Sequence, residues 1–279
     1  MFIIKYKKIW YLLSIFLLIV SLLVMSFRGF NLSIDFTGGT IMEISYENRP
    51  VKELLESKIG QSGTSVRTSG ENNYVIRTKE PIKVNLGGEV IRENTIGPVA
   101  GAELASKARI AMGVVIIMIV LFVTFAFRKV SKPVSSWKYG LVTIIALAHD
   151  VIIPTGFFVF LGKEIDLLFI TGLLAILGYS VHDTIVVFDR IRENLHLSAN
   201  EPFEEIVGRS VNQTFARSIN TSLTIFITLL ALYLLGSTAT QNFSLLLIIG
   251  LIAGTYSSIF VASPLLVTFF SLQSKKGQV

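Results

Sequence analysis

Six long apolar runs alternate with polar segments along the 279 residues of the chain. Each run approaches or exceeds the roughly 20 residues that an α-helix needs to cross the hydrocarbon core of a membrane. The predicted spans are Ile9–Met25, Ile110–Phe127, Tyr139–Leu161, Leu167–Val187, Ile219–Leu235 and Phe243–Leu272. Because no charged residue occurs from Ser218 to Ser274, the last two spans are predicted to be joined by a tight polar turn, Gly236–Asn242. The pattern predicts a polytopic α-helical membrane protein with six transmembrane helices.

The segment between the first and second spans has a mixed pattern. Thr40–Tyr46 alternates between apolar and polar residues like a half-buried strand, and Pro50–Ile59 resembles a short helix opened by proline. Thr64–Thr68 and Tyr74–Thr78 are predicted to form a strand pair around a turn. These elements predict a small α+β external domain between helices 1 and 2.

Four parts are predicted along the chain. They are an N-terminal tail with the first span (residues 1–26), the external α+β domain (27–109), spans two to six (110–274) and a C-terminal tail (275–279). Within the third part, residues 200–217 have apolar side chains at helical spacing, with Asn200 as a predicted N-cap and Pro202 in the first turn. This amphipathic segment is predicted to be an interfacial helix that leads into the fifth span.

The composition agrees with a membrane protein and excludes other classes. Hydrophobic residues make up 52% of the chain and the mean hydropathy is +0.65, which soluble globular proteins seldom reach. The absence of cysteine excludes a disulfide framework, thiolate catalysis and cysteine-bound metal. The net charge of +6 arises from basic residues beside the apolar runs, so binding to nucleic acid is not expected.

The positions of the basic residues predict the orientation of the spans. They cluster before the first span, between the second and third, between the fourth and fifth, and after the sixth, at Lys5, Lys7, Lys8, Arg128, Lys129, Lys132, Lys138, Arg190, Arg192, Arg209, Arg217, Lys275 and Lys276. The positive-inside rule therefore predicts that both termini are cytoplasmic. No alanine precedes Ala100, so no A-x-A cleavage site follows the first span, which is predicted to remain as an anchor.

Two aspartates lie inside predicted spans, where a charged side chain at the bilayer centre costs about 2.5–3.5 kcal/mol on insertion scales. Asp183 is near the cytoplasmic end of the fourth span. Asp150 comes twelve residues after Lys138, which is roughly 18 Å along a helix. Asp150 is therefore predicted to lie close to the middle of the bilayer. Such carboxylates usually face a bundle interior or a wet cavity, where they bind an ion, pair with a cation or relay protons. The alternative is a structural hydrogen bond between helices.

Arg217 closes the fifth span at its cytoplasmic end, and two interpretations are open. The residue could be an ordinary positive-inside anchor. Alternatively, its side chain could reach inward to Asp183 or Asp150 and keep that carboxylate ionised. A carboxylate that alternates between a paired and a protonated state could take up a proton from one side and release it to the other.

Four further residues are candidate modulators of this site: His149, His182, Ser180 and Thr184. Neighbouring residues in a helix point about 100° apart, so adjacency does not by itself pair a histidine with the following aspartate. Hydroxyls beside Asp183 would also allow sodium in place of protons. The two histidines have no third ligand at a suitable spacing, so neither a metal site nor a cofactor is predicted.

Small and polar residues form a stripe on the fourth span. They recur every three to four positions, at Thr171 or Gly172, Ala175, Gly178 or Tyr179, and His182 or Asp183. This spacing places them along one arc of the helix, and small residues let a partner helix approach closely. The arc is therefore predicted to face protein.

Enzymatic motifs are absent from the sequence. It contains no H-E-x-x-H, G-x-S-x-G or P-loop, and no G-x-G-D surrounds either intramembrane aspartate, as an intramembrane aspartyl protease would require. The chain is predicted not to be an enzyme and not to hydrolyse ATP.

Five segments resemble motifs of the SecD/SecF family, and of its bacterial SecF branch in particular. They are Ile34–Thr40 (IDFTGGT), Ile96–Leu104 (IGPVAGAEL), Ala146–Asp150 (ALAHD), Leu177–Asn194 (LGYSVHDTIVVFDRIREN) and Phe215–Ser222 (FARSINTS). The segments occur in the family's order across essentially the whole chain.

The resemblance implies a transporter of the resistance-nodulation-division type in the bacterial cytoplasmic membrane. Such a subunit pairs with the six-spanning SecD, associates with the SecYEG channel, and uses the proton-motive force to assist preproteins that the ATPase SecA has started. The resemblance also links Asp183 and Arg217 to proton transport and leaves the role of Asp150 open. A separate SecD chain is expected, with the stripe on the fourth span as its candidate contact.

Two alternative functions remain open. One is a proton-coupled exporter of lipids or small molecules, although six spans and a small insert argue against it. The other is a structural subunit without a proton path, which predicts that neutralising Asp183 leaves activity intact.

Overall fold

The computed structural model describes residues 2–48, 50–61, 64–69, 72–128, 135–198 and 201–276. Within these ranges, six helical segments are long and apolar enough to cross a membrane, which confirms the predicted number of spans. In chain order the elements are α1 (Phe2–Lys5), α2 (Lys7–Arg28), α3 (Ile34–Thr37), β1 (Gly39–Ser45), α4 (Lys52–Ile59), β2 (Ser65–Ser69), β3 (Asn73–Thr78), β4 (Glu89–Ile96), α5 (Pro98–Ala126), α6 (Ser136–Phe160), α7 (Leu167–Leu197), α8 (Phe203–Leu235), α9 (Thr238–Ser257), a π-helical turn (Ser258–Ala262) and α10 (Ser263–Lys276).

Several helices extend beyond the predicted spans. The amphipathic segment and the fifth span, predicted as separate parts, are the two ends of the continuous 33-residue helix α8. The turn predicted over residues 236–242 shortens to Gly236 and Ser237, because Ser237 is extended and α9 begins directly after it. The predicted N-cap Asn200, the basic residues Lys129 and Lys132, and tail residues 277–279 lie outside the described residues.

The chain divides into two compact units. We call residues 32–110 and 164–167 the sheet unit, and residues 1–31, 111–163 and 168–279 the helical unit. The four strands of the sheet unit are antiparallel and lie in the order β2-β3-β1-β4. The first three strands agree with the predicted ones within a residue or two. Strand β4 was not predicted, because it is an edge strand that is exposed on nearly its whole length and lacks a buried apolar face.

A small apolar core fills the sheet unit. Its fully buried members include Ile44 on β1, Leu55 on α4 and Ile76 on β3. At the start of β1, Gly38 has a φ of +71°, and a Cβ added there would lie 2.8 Å from the Cα atom of Pro98. Only glycine accommodates both this conformation and this approach. The IDFTGGT segment therefore packs directly on the first turn of α5.

The helical unit has its own core, in which α6 and the chain from α9 to α10 are the most buried spans. Phe127, Tyr139 and Phe188 are fully buried and pack as an aromatic cluster, with centroid distances of 5.2 Å from Tyr139 to each of the other two rings. In contrast, α2, α5 and α8 are largely exposed along their apolar windows. An apolar surface of this kind is what a membrane-spanning helix presents to lipid or to a partner.

Candidate ion-coupling site

Asp150 lies on α6 and is fully buried in the helical unit. Its Oδ2 atom accepts hydrogen bonds from the hydroxyls of Ser180 on α7 and Ser257 on α9, the latter at 2.7 Å. Its Oδ1 atom lies 2.8 Å from Nδ1 of His149. The carboxyl group therefore has partners at both oxygens and connects three helices.

His149 extends this network towards the first span. Its ring stacks on Tyr256 of α9, with a centroid distance of 5.8 Å. The hydroxyl of Tyr256 accepts a hydrogen bond from Ser14 at 3.2 Å and donates one to the carbonyl of Trp10 at 2.9 Å, both on α2. The Nε2 atom of His149 is buried and has no hydrogen-bond partner among the described residues. The contact with Asp150 thus forms although sequence adjacency alone does not predict it.

Asp183 lies on α7 and is 5% exposed. Its Oδ1 atom accepts a hydrogen bond of 2.6 Å from the hydroxyl of Ser218 on α8. Its Oδ2 atom is buried and has no hydrogen-bond partner within the described ranges. A buried acceptor without a hydrogen-bond partner costs about 1–3 kcal/mol of stability, and more when it is charged. Asp183 therefore differs from Asp150, because one of its oxygens is left to take up a proton or a cation.

Arg217 lies next to Ser218 on α8, but its side chain is exposed. Among the residues that the structure describes, it forms no ion pair with Asp183 or Asp150. Adjacent helical positions point about 100° apart, so Ser218 faces Asp183 while Arg217 points elsewhere. Of the two interpretations of Arg217, the direct pairing with a buried aspartate is therefore not formed in this conformation.

The two hydroxyls predicted beside Asp183 have other partners. Ser180 donates to Asp150, and Thr184 lies 2.9 Å from the hydroxyl of Ser258. Ser258 begins the π-helical turn, and its carbonyl accepts a hydrogen bond of 3.0 Å from the hydroxyl of Ser263. Single π turns inside α-helices are frequent at functional sites. Ser180 and Asp183 are nonetheless neighbours on one face of α7, so the two carboxylates lie on the same side of this helix.

The sequence reasoning missed several hydroxyls on α8 and α9 that complete the site. Ser218 and Ser257 bind the two carboxylates, and Ser222 bridges the hydroxyl of Tyr179 at 2.6 Å and that of Thr255 at 2.7 Å. The signal was present as polar residues within uncharged spans, four apart at Ser218 and Ser222. Such spacing indicates one face of a helix but not the partner that this face meets.

The small-residue stripe of α7 divides between two faces. Gly172 is buried against Leu246 of α9, and Asp183 is buried against α8. The exposed face comprises Thr171, Ala175, Gly178 and His182. The predicted modulator His182 therefore does not join the buried network, in contrast to His149.

A parallel stripe of exposed polar residues follows α8. Its members recur every three to four positions, at Gln213, Arg217, Asn220, Thr224 and Thr228. A polar face on a membrane-spanning helix is unfavourable against hydrocarbon and marks contact with protein or water.

No group of three or more histidine, aspartate or glutamate side chains within the described ranges is arranged to hold a metal ion.

Comparisons with known proteins place the whole chain in one family. Residues 78–271 match the family described as "Protein export membrane protein SecD/SecF, C-terminal", and residues 23–48 match the "SecD/SecF GG Motif". The protein translocase subunit SecF of Thermobaculum terrenum is 40% identical, over 96% of this chain and 93% of that relative. The subunit SecF of Sebaldella termitidis is 36% identical, over 94% and 89% of the two chains.

Solved structures give the same relationship. The crystal structure of SecDF from Thermus thermophilus, described as a translocon-associated membrane protein, aligns with a TM-score of 0.84 and 34% identity, over 95% of this chain and 38% of that one. A second SecDF structure, in a super-membrane-facing form, aligns with a TM-score of 0.71 and 33% identity, over 99% of this chain and 39% of that one.

Proposed function

Because the chain belongs to the SecD/SecF family of protein export membrane proteins, in which it is similar to SecF translocase subunits, we propose that it couples an ion gradient to preprotein movement through Asp183. It is a multi-pass membrane protein of the protein-transport machinery. The observation that carries the proposal is the buried Oδ2 atom of Asp183, which lacks a partner while Oδ1 is held by Ser218. The proposed role involves no catalytic step and no nucleotide hydrolysis.

The proposed cycle alternates Asp183 between two states. In the protonated state, the Oδ2–H group is neutral and tolerates burial. In the ionised state, the carboxylate needs a cation, and the nearest candidate on the contacting helix is Arg217, one position before Ser218. Bringing Arg217 inward requires a rotation or shift of α8 against α7. Loss and gain of one proton would therefore move these two helices relative to each other.

The energy of the gradient is sufficient for such a change. One charge that moves through 100 mV supplies about 2.3 kcal/mol. Since 1.4 kcal/mol is a tenfold change in an equilibrium constant, one proton can shift a two-state equilibrium by roughly 50-fold. The cost of leaving Oδ2 unpartnered, about 1–3 kcal/mol, lies in the same range. Sodium could replace the proton at this oxygen.

SecD is the proposed partner in the membrane. The relative SecDF of Thermus thermophilus is 36% identical, and this chain covers 35% of its length, so the fused relative contains a large additional part. We assign the exposed stripes of α7 and α8 to the contact with SecD, because small residues permit close helix packing and polar groups need partners in the membrane. The proposal also includes transient association with SecYEG and, through it, with SecA and the preprotein.

The proposed location is the bacterial cytoplasmic membrane, with both termini in the cytoplasm. The basic residues at the beginning of α2 and around the α7–α8 connection support this orientation through the positive-inside rule. The sheet unit would then lie on the external side, where preproteins emerge. Asp183 would be reached from the cytoplasmic half of the bilayer.

The test is preprotein translocation into inverted vesicles that contain the chain with SecD and SecYEG, with and without a gradient. For Asp183→Asn we expect loss of the gradient-dependent stimulation, while SecA-driven basal translocation and assembly with SecD persist. The matched control is Asp189→Asn on the same helix, because Asp189 is exposed and pairs with Arg192 one turn away. Separate collapse of the proton and sodium gradients identifies the coupling ion.

Unchanged stimulation in Asp183→Asn would favour the structural alternative, in which the chain only assembles the complex. The exporter alternative receives no support, because the relatives are named as protein translocase subunits.

Asp150 has a different proposed role. It holds α6, α7 and α9 together and tunes the site, since both of its carboxylate oxygens already have hydrogen-bond partners.

A further inference from the structure

The turn between α6 and α7 belongs to the sheet unit although it connects two membrane spans. Residues 164–167 cluster with residues 32–110 rather than with the helices on either side. The amide of Ser33 donates a 2.9 Å hydrogen bond to the carbonyl of Ile165, and Leu32 and Ile165 form a parallel β-bridge. The sheet unit thus holds the chain immediately before α7 begins.

Asp35 holds the first residue of α7. Its Oδ2 atom accepts a hydrogen bond of 3.1 Å from the amide of Leu167. The first amides of a helix lack partners within the helix, and a carboxylate is a favourable acceptor there because it also complements the helix dipole. Helix caps are usually supplied by the residue just before the helix. Here one acceptor comes from the short helix α3, far away in the sequence.

A charged cluster supplies a second attachment at the same turn. The carboxylate of Glu164 pairs with Arg77 on β3 and, at 3.5 Å, with Arg67 on β2. Arg77 is the most buried of the three side chains, with 19% exposed. Two neighbouring strands of the sheet therefore contact one carboxylate, which fixes the turn to the sheet more firmly than a single surface ion pair would.

α3 also touches a second span. A Cβ on Gly101, in the first turns of α5, would lie 3.2 Å from the backbone of Phe36 on α3. The Ser33 hydroxyl accepts a hydrogen bond from the amide of Asp35 and so fixes the start of α3. One four-residue helix is thus packed against the beginning of both α5 and α7.

We propose that α3 and the Arg67–Glu164–Arg77 cluster form the mechanical link by which a displacement of α7 moves the sheet unit. α7 carries Asp183 about 24 Å along the helix from Leu167, at 1.5 Å per residue. A helix transmits an axial shift or a rotation along its length, because its backbone hydrogen bonds keep it stiff. Asp35 and Glu164 are accordingly positioning residues, and they contact neither ion nor preprotein. This inference rests on the proposed function, since it assumes that Asp183 changes state.

A reporter on the sheet tests the link. The chain has no cysteine, so Val90→Cys on the exposed strand β4 gives a single labelling position. In complexes purified with a cysteine-free SecD, we expect Asp183→Asn to change the maleimide labelling rate of this cysteine several-fold. In the background Asp35→Ala/Glu164→Gln, we expect the labelling rate to be the same with Asp183 and with Asn at that position.

Glu56→Gln is the matched control, because Glu56 pairs with Lys52 one turn away on α4 of the same unit. The response to Asp183→Asn should persist in this background. A response that also persists in Asp35→Ala/Glu164→Gln would overturn the link, as would a reporter that never responds. If the double variant fails to assemble with SecD, Glu164→Gln and Asp35→Asn are measured singly, and a full response in both contradicts the proposal.

Translocation separates this inference from the proposed function. In the vesicle assay, Asp35→Ala/Glu164→Gln should lose gradient-dependent stimulation and retain basal translocation, while Glu56→Gln should behave like wild type. If Asp183→Asn abolishes the stimulation but the reporter does not respond, the link fails and the proposed function stands. If Asp183→Asn leaves the stimulation unchanged, the proposed function fails first.

Discussion

Removal of the Asp150 carboxylate should destabilise the helical unit strongly, whereas its conversion to an amide should not. Asp150→Ala removes the hydrogen-bond partner of three buried groups, the hydroxyls of Ser180 and Ser257 and Nδ1 of His149. Ser257 keeps a second hydrogen bond of 3.1 Å to the carbonyl of Gly254, so it is not orphaned. Ser180 and Nδ1 of His149 lose their partner. At about 1–3 kcal/mol for each buried group left unsatisfied, the expected loss is about 2–6 kcal/mol.

Asp150→Asn provides the comparison that isolates the hydrogen bonds from the charge. The amide retains an oxygen acceptor, and the two serine hydroxyls can rotate to accept from its NH₂ group. We expect a loss of about 1 kcal/mol, the value of an ordinary net hydrogen bond. The same variant should keep most of the gradient-dependent translocation, because Asp150 is assigned a structural role.

The assay is reversible unfolding of the purified chain in mixed micelles, followed by helical circular dichroism as the fraction of denaturing detergent rises. The difference in unfolding free energy between the alanine and asparagine variants is the decisive quantity. Equal destabilisation by both would show that the charge, and not the hydrogen bonds, stabilises the unit. A loss of stimulation in Asp150→Asn as complete as in Asp183→Asn would refute the division of roles between the two carboxylates.

Three further outcomes follow from single contacts. Ser218→Ala removes the hydrogen bond that Ser218 donates to Asp183, so gradient-dependent translocation should fall several-fold. Ser218→Thr should restore it in the vesicle assay. Gly38→Ala should make the sheet unit more sensitive to proteolysis than Gly87→Ala does, because both glycines have positive φ but only Gly38 is also closely packed. Tyr139→Phe should leave the unfolding free energy unchanged or raise it by up to about 1 kcal/mol, because the buried hydroxyl has no partner among the described residues.

The sequence was sufficient to predict those features of the fold and the site that depend on a single segment of the chain. The length of an apolar run predicted each of the six spans, and the cost of charge in hydrocarbon indicated that Asp183 and Asp150 would be buried. Both aspartates are buried in the structure. Strands β1 and β3 were also predicted, because each has one buried face and alternates accordingly. Strand β2 was predicted as the partner of β3 across a turn.

The features that the sequence did not predict depend on how two elements meet. Periodicity predicts the face of a helix but not its rotation against a neighbour, which is set by packing. For this reason Ser180 was assigned to the wrong carboxylate, and Ser218 was missed. The contact of Asp35 with the start of α7 and the ion pair of Glu164 with Arg77 join residues far apart in sequence, so no local pattern could indicate them.

The two buried carboxylates differ in a way that decides which of them a gradient can drive. Rearrangement at Asp150 would break hydrogen bonds to three partners at once, at a cost of about 2–6 kcal/mol. One proton moving through 100 mV supplies about 2.3 kcal/mol, which is close to the lower end of that range. At Asp183, within the part of the chain that the structure describes, the bond to Ser218 is the one hydrogen bond to the carboxylate, and the unpartnered Oδ2 atom raises the energy of the ionised state. The same driving energy is therefore enough to change the state of Asp183 while Asp150 keeps the surrounding helices in place.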